Sequence, residues 1–250
     1  MRSLKALLGF LTVIPVKFKE GDVEKAAVNM HLFPLVGALL GLLAGAAALA
    51  LSFVVPKSLV GLLTVGLLTA LTGAHHLDGL LDFGDGLMAL GPPEARIKVM
   101  HNQRTGAGGF AIASMVLIAT VLALAELNSS VILQAVFTAE VSAKLSMVVG
   151  AKAGKSAYPG LNRYFVNAMR GRKGLLRLTA ATALSTALAF AALSFTGVII
   201  VLTAVLVALT LTGIATKCFG GVTGDVLGAM NEVSRAASLI VVLAVARWHP

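Results

Sequence analysis

Residues 32–55 read LFPLVGALLGLLAGAAALALSFVV, and no charged side chain interrupts them. A helix rises about 1.5 Å per residue, so a run of this length crosses the roughly 30 Å hydrocarbon layer of a bilayer. Working outward, apolar runs of similar character lie at 108–125, 130–150, 178–195 and 198–216, with a shorter one at 59–74. The last run, 236–246, reaches spanning length only if its helix starts near residue 224. The expected fold is therefore all-α, a polytopic membrane helix bundle of six to seven transmembrane helices forming a single integral membrane domain over 1–250. Because no Gly-Pro break follows the run at 59–74 until Gly91-Pro92, one helix is expected to leave the membrane there and continue through 75–90.

Composition agrees with the bilayer as solvent. A chain of 250 residues that is 58% hydrophobic and 12% charged, with mean hydropathy +0.92, holds more apolar surface than a soluble domain of that length can bury. The net charge is +9, yet aromatic residues are only 6%, too few for base-stacking surfaces, so no nucleic acid is expected as a partner. Cys218 is the sole cysteine, which excludes an internal disulfide or a thiolate metal cluster. Residues 1–5 are basic and 6–16 apolar, but Pro15 closes the run and no small-residue cleavage site follows. The N-terminal 1–28 is therefore read as an interfacial segment and not as a removed signal peptide.

Lys and Arg alternate from connection to connection. Segment 1–28 carries Arg2, Lys5, Lys17, Lys19 and Lys25; loop 75–107 carries Arg96, Lys98 and Arg104. Loop 151–177 carries seven basic residues, from Lys152 to Arg177, and segment 217–235 adds Lys217 and Arg235. The intervening connections hold only Lys57, and Arg247 lies at the far end. Basic loops stay on the cytoplasmic side, so the expectation is a multi-pass protein of the cell membrane with its N-terminus and motif loops cytoplasmic.

Those loops also hold the acidic residues. In HHLDGLLDFGDGL, residues 75–87, Asp78, Asp82 and Asp85 stand at i, i+4 and i+7, on one narrow helical face. Like charges so close are tolerated when a cation neutralises them, and oxygen ligands without cysteine suit a hard ion, Mg²⁺ above all, bridging to substrate phosphates. A solvated helix face is the bland alternative, but such a face mixes in Lys and Glu. In GGVTGDVLGAMNE, residues 220–232, Thr223 is placed to cap a helix carrying Asp225 and Glu232 seven apart, with Gly224 and Gly228 as a small-xxx-small pair. Gly221, Thr223, Asp225 and Glu232 are read as substrate-binding. In NQRTGAGG, residues 102–109, the Arg104 guanidinium matches phosphate oxygens, unless it serves only as a positive-inside anchor. Glu140 and Lys144 stand one turn apart inside an apolar span, placed to neutralise each other.

The stretch HLDGLLDFGDG at 76–86 resembles the HLDGLxDxxDG signature of the cobalamin synthase family, the adenosylcobinamide-GDP ribazoletransferases. FLTVIPV at 10–16 and GGVTGDVLGA at 220–229 resemble the same family, and the likeness covers essentially the whole chain. It implies Mg²⁺-dependent transfer of the cobinamide phosphoryl group from adenosylcobinamide-GDP to α-ribazole or α-ribazole 5′-phosphate, releasing GMP, at a lipid bilayer. It also implies metal-holding roles for Asp78, Asp82 and Asp85 and catalytic roles for Asp82 and for His76, whose imidazole takes the hydroxyl's proton; His75 is as near in sequence, so that choice rests on the motif. One departure stands out. The family commonly reads Asp-Ser-Arg-x-Gly where this chain has Asn102-Gln103-Arg104-Thr105-Gly106, so a carboxylate role does not transfer to 102. A homo-oligomer is left open. Two other classes are weighed: a CDP-alcohol phosphotransferase, whose motif departs after Asp78-Gly79, and a transporter, for which Glu140 and Lys144 are too few intramembrane charges.

Overall fold

A computed structural model describes residues 2–17, 19 and 21–248; the side chains of Arg2 and Arg247, both counted above among the end charges, lie outside the described residues. The elements are α1 (Arg2–Leu11), α2 (Asp22–Val28), a 3₁₀ turn (Met30–Leu32), α3 (Phe33–Leu51), α4 (Lys57–Leu71), α5 (His75–Met88) and α6 (Pro93–Met100). There follow α7 (Ala107–Glu126), α8 (Ser129–Ala153), α9 (Asn162–Ala168), α10 (Gly171–Phe219) and α11 (Gly224–Trp248). Among the described residues the sole β-feature is a parallel bridge between Ser156 and Val222. The all-α bundle read from the sequence is the fold observed.

Among the described residues five helices are long and apolar enough to cross a membrane, the longest being α10. That helix is two legs. Leu193 (φ −137°, ψ 19°) and Ser194 (φ 50°, ψ −131°) leave helical geometry, and a Cβ on Gly197 would stand 2.0 Å from the carbonyl oxygen of Ala189. Eight residues of straight helix span about 12 Å, so the chain doubles back here. The two legs, 171–193 and 195–219, correspond to the runs expected at 178–195 and 198–216. The short run at 59–74 became α4, whose 15 residues measure about 22 Å.

The expected continuation of α4 through 75–90 is not what the chain does. The α4 and α5 axes meet at 97°. Gly73 (φ 62°) and Ala74 (φ 59°) are left-handed, and Ala74 N–H donates to Thr69 O at 2.9 Å while Gly73 N–H donates to Ala70 O at 3.2 Å. This is a Schellman termination, for which glycine is the favoured residue. The break was encoded by a lone glycine, not by a Gly-Pro pair.

Helix α8 is the axis of the bundle: every residue from Thr138 to Ala151 is buried. A helix buried all round needs neighbours on every side, and α3, α10 and α11 supply them. On α3 the approach is through Gly37, Gly41 and Gly45, one turn apart; a Cβ on Gly37 would stand 2.4 Å from Glu140 O. In hydrocarbon no hydrophobic effect drives helices together, so close backbone packing between small residues carries the association. Outward, Leu42, Leu62, Met115, Leu122, Leu202 and Leu206 are exposed, forming the lipid-facing girdle. Helix α1 docks by Ala6, Leu7 and Leu11, all buried, and leaves Leu4 outward; Val13, just past its end, is also exposed.

The α8–α11 contact holds a buried ionic seam. Glu140 is ion-paired with Arg235 and lies 3.7 Å from Lys144 Nζ; Arg235 also pairs with Glu232. Lys144 Nζ donates to Asn231 Oδ1 at 2.6 Å, and Asn231 Nδ2 donates to Glu232 Oε1 at 3.1 Å. Glu140 thus has a second and closer partner than the one expected. Arg235, counted above as a loop charge, is only 3% exposed and sits inside the bundle. Two cations and two carboxylates leave the seam neutral.

Removing one partner of a buried pair strands a charge, which costs about 3–5 kcal/mol, whereas removing a balanced pair costs less. Lys144→Met is therefore expected to lower the thermal unfolding midpoint in detergent more than Lys144→Met combined with Glu140→Gln, since the double change leaves Arg235 and Glu232 balanced. Simple addition of the two single losses would show that the groups do not act as one network.

Candidate active site

Helix α5 lies across the ends of α7 and α11. At one crossing a Cβ on Gly79 would stand 3.0 Å from Asp225 Cα, and at the other a Cβ on Gly84 would stand 2.8 Å from Gly109 Cα. Backbone meets backbone at both. The C-terminus of α5 is closed by Arg96, whose Nη1 donates to Leu87 O at 2.9 Å and Gly86 O at 3.2 Å, a cation where the helix dipole is negative.

The three carboxylates of α5 divide in their tasks. Asp85 is buried and turns to α7, where Oδ2 accepts the N–H of Gly106 at 2.6 Å and Oδ1 accepts the N–H of Gly109 at 2.7 Å. Gly106 has no side chain with which to cap α7, so Asp85 caps that helix from across the interface. Asp78 is exposed and Asp82 partly so. The Asp82 carboxyl is pushed up to about 7, by burial first and then by Asp225, Asp78 and Asp85. Asp225, in the first turn of α11, is thus a fourth member of one electrostatic cluster.

Tyr158 shares that field: its phenol is pushed up by burial and then by Asp225 and Asp82. Its hydroxyl is 2.9 Å from His101 Nε2, with the two rings edge to face at 5.0 Å. The loop bearing Tyr158 is pinned to the start of α11. Val222 N–H donates to Lys155 O at 2.7 Å, Ala157 N–H to Val222 O at 3.1 Å, and Asn162 Nδ2 to Val222 O at 2.7 Å. Sequence reasoning missed His101 and Tyr158, because no periodicity joins residues 57 apart.

The other expected site residues scatter. Thr223 caps α11, accepting the N–H of Val226 at 3.1 Å, and its hydroxyl donates to Asp225 Oδ2 at 3.2 Å. It is fully buried, so its role is to hold Asp225, not to meet a substrate. Gly221 allows a backbone approach, since a Cβ there would stand 2.4 Å from Lys155 O. Glu232, expected to bind substrate on the face of Asp225, spends both carboxylate oxygens on Asn231 and Arg235 in the buried seam. Arg104 is exposed, and among the described residues its guanidinium makes no ion pair. Asn102 Oδ1 accepts the N–H of Arg104 at 3.1 Å, an Asx turn that Asp or Asn builds equally well. His76 stands apart from the acidic cluster. It is 5% exposed, and burial, with Lys144, Arg235 and His75 nearby, holds its imidazole well below the usual histidine range.

A sequence profile described as cobalamin-5-phosphate synthase matches residues 3–243. The chain belongs to that family. Among similar curated proteins, the adenosylcobinamide-GDP ribazoletransferase of Methanocella arvoryzae is 35% identical, over 98% of this chain and 96% of its own. That of Thermococcus kodakarensis is 35% identical over 98% and 100%, and that of Methanosarcina barkeri 32% over 96% and 90%. No solved structure matches. As a member of the cobalamin-5-phosphate synthase family the chain is an enzyme of cobalamin synthesis, a transferase.

In this chain the two inner carboxylates of α5 are expected to respond oppositely to amidation. Asp85→Asn gives up a charge-assisted cap and should cost about 2 kcal/mol. Asp82→Asn should stabilise the chelator-treated protein. A carboxyl raised to about 7 in the folded chain, against an ordinary 3.8, penalises folding fully above pH 7 and not at all below pH 4. The gain from Asp82→Asn is thus larger at pH 8 than at pH 5 in thermal unfolding, and a pH-independent difference would contradict the cluster.

Proposed function

We propose that the chain joins adenosylcobinamide-GDP to α-ribazole or α-ribazole 5′-phosphate. The acceptor's ribose hydroxyl forms the new P–O bond on the cobinamide phosphorus, the bond to the bridging oxygen breaks, GMP leaves, and the hydroxyl proton passes to the aqueous end of the site. The observation that carries this reading is the juxtaposition of Asp78 and Asp82 on α5 with Asp225 on α11, in a chain of the cobalamin-5-phosphate synthase family. The family description names the 5-phosphate, which favours the phosphorylated acceptor.

The donor set suits Mg²⁺. All ligands are oxygen, the carboxylates repel one another enough to lift Asp82, and no basic side chain pairs with them among the described residues. Among the described residues no three His, Cys, Asp or Glu side chains are arranged to hold a metal ion by themselves, so one or two carboxylates would have to be completed by water and substrate phosphate oxygens. Asp78 and Asp82 would hold it, with Asp225 opposite and Asp85 fixing α5 from behind. Bound there, Mg²⁺ supplies neutralisation of charge on the diphosphate and the departing phosphate. Arg104 and Lys155, exposed at the same end, are the cations proposed to receive the GMP phosphate. We place this end in the cytoplasm and the bundle in the cell membrane, because the basic loops gather on the side of the acidic cluster.

Incubated with both substrates and Mg²⁺, membranes bearing the parent should release GMP, and a chelator should stop the release. Asp82→Asn should insert and purify normally yet lose on the order of a thousandfold in rate. Full activity in that variant would remove the carboxylate cluster from the chemistry. For orientation, in a Cys218→Ser background, cysteines at Gln103 and Tyr164 should react with impermeant maleimide only from the cytoplasmic side, and one at Phe53 only from outside. The opposite labelling would invert the topology.

A further inference from the structure

His76 does not face the acidic cluster. It lines a separate, partly open cavity of about 380 Å³ between α1, α2, α5, α8 and α11, together with His75, Phe10, Met147, Gly224 and Gly228. The size falls in the range of small-molecule pockets. No Lys, Arg, Asp or Glu lines it, so it is not built for a diphosphate. The wall is largely apolar, with one phenyl ring, Phe10, and one thioether, Met147. Phe10 belongs to a cluster with Phe165 (ring centroids 4.8 Å apart) and Phe33 (6.4 Å), and Met147 offers a polarisable sulfur.

Two features mark the cavity as a site rather than a packing flaw. His76 is more than nine-tenths buried, and neither ring nitrogen has a hydrogen-bond partner among the described residues; Nδ1 is sealed in the packing, which leaves Nε2 as the nitrogen a ligand would meet. An unpartnered buried polar group costs roughly 1–3 kcal/mol, part of which a ligand hydrogen bond to Nε2 would recover. The cavity also adjoins the chemistry. Gly224 precedes Asp225, and Gly228 meets the α5 backbone, where a Cβ would stand 3.2 Å from His76 O.

We infer that this cavity is the subsite for the uncharged aromatic base of the acceptor nucleoside, with His76 hydrogen-bonding the nucleoside and Phe10 and Met147 packing on the ring. The inference rests on the transferase reading above. With the base held in the cavity, the sugar extends past Gly224 toward Asp225 and the Asp78–Asp82 face, so the attacking hydroxyl arrives from the side opposite the loop cations that receive GMP. Lining the cavity and not the carboxylate face, His76 is placed to position the acceptor. Helix α1 is then a wall of the active site as well as an interfacial anchor.

The test uses the full chain in nanodiscs. Met147→Phe fills the cavity, Met147→Leu conserves its volume, and His76→Gln removes the imidazole. Labelled α-ribazole is equilibrated with each variant in the absence of Mg²⁺, and KM is measured separately for acceptor and donor. Met147→Phe and His76→Gln should weaken α-ribazole binding and raise its KM at least tenfold, with the KM for adenosylcobinamide-GDP within twofold of the parent and Met147→Leu unchanged. Equal effects on both substrates, a fall in kcat with binding intact, or no α-ribazole binding to the parent would overturn the subsite. Absence of GMP release by the parent would instead refute the transferase reading, and the binding measurement would still decide the cavity.

Discussion

The site depends on how closely the backbone of α5 approaches those of α7 and α11. A side chain at Gly109 would run into Leu81 O at 2.4 Å, and one at Gly79 into Asp225. With these positions bare, α5 can lie flat across two helix ends, which sets Asp78 and Asp82 against Asp225 without any attraction among them. Carboxylates that repel do not assemble unaided. They are brought together by van der Waals contact at the crossings and by Asp85, which converts one acidic side chain into two charge-assisted bonds at the start of α7. The packing thereby fixes a concentration of like charge at a partly exposed surface, the arrangement on which the proposed cation site rests.

Below that layer, the ionic seam of α8 and α11 meets a different demand. In hydrocarbon each charge must find its opposite within the protein, and here Glu140 and Lys144 from α8 interlock with Asn231, Glu232 and Arg235 from α11. A hydrophobic interface would pack as tightly, yet it would tolerate sliding by a turn. The hydrogen-bonded seam fixes the register of α11 on α8, and through it the height at which Asp225 meets α5. It also sets cations near His76, which add to the effect of burial in lowering that imidazole's pKa.

Much of this was legible in the sequence. Spans announce themselves by length and lack of charge, and the i, i+4, i+7 spacing of Asp78, Asp82 and Asp85 was readable because helical periodicity is local. The failures have physical causes as well. The bend after α4 rests on Gly73, and a single glycine counts little until its Schellman hydrogen bonds are seen. The GxxxGxxxG series at Gly37, Gly41 and Gly45 was present in the first span and went unread, hidden among alanines and leucines. Arg235 looked like a loop charge because its partner Glu140 is 95 residues away. The division of labour between Asp85 and its neighbours could not be inferred from spacing, since residues on one narrow face still differ by tens of degrees. That difference turns one toward α7 and two toward open space.

A partition by polarity organises the rest. The acidic face gathers charge at the wet end of the bundle, where the proposed diphosphate and its cation would be exchanged, and the cavity beside α1 is a recess without Lys, Arg, Asp or Glu, lined by Phe10, Met147, His75 and His76 among others. These environments cannot be merged: carboxylates lining the recess would pay desolvation for each substrate binding, and an apolar wall at the cluster would raise the carboxyl pKa values further and expel the cation. Separation by one helical crossing solves the conflict. In the proposed transfer the two reactants would approach Asp225 from regions of opposite polarity, each disfavoured in the other's pocket by solvation, and alignment for in-line displacement would follow from where the pockets lie.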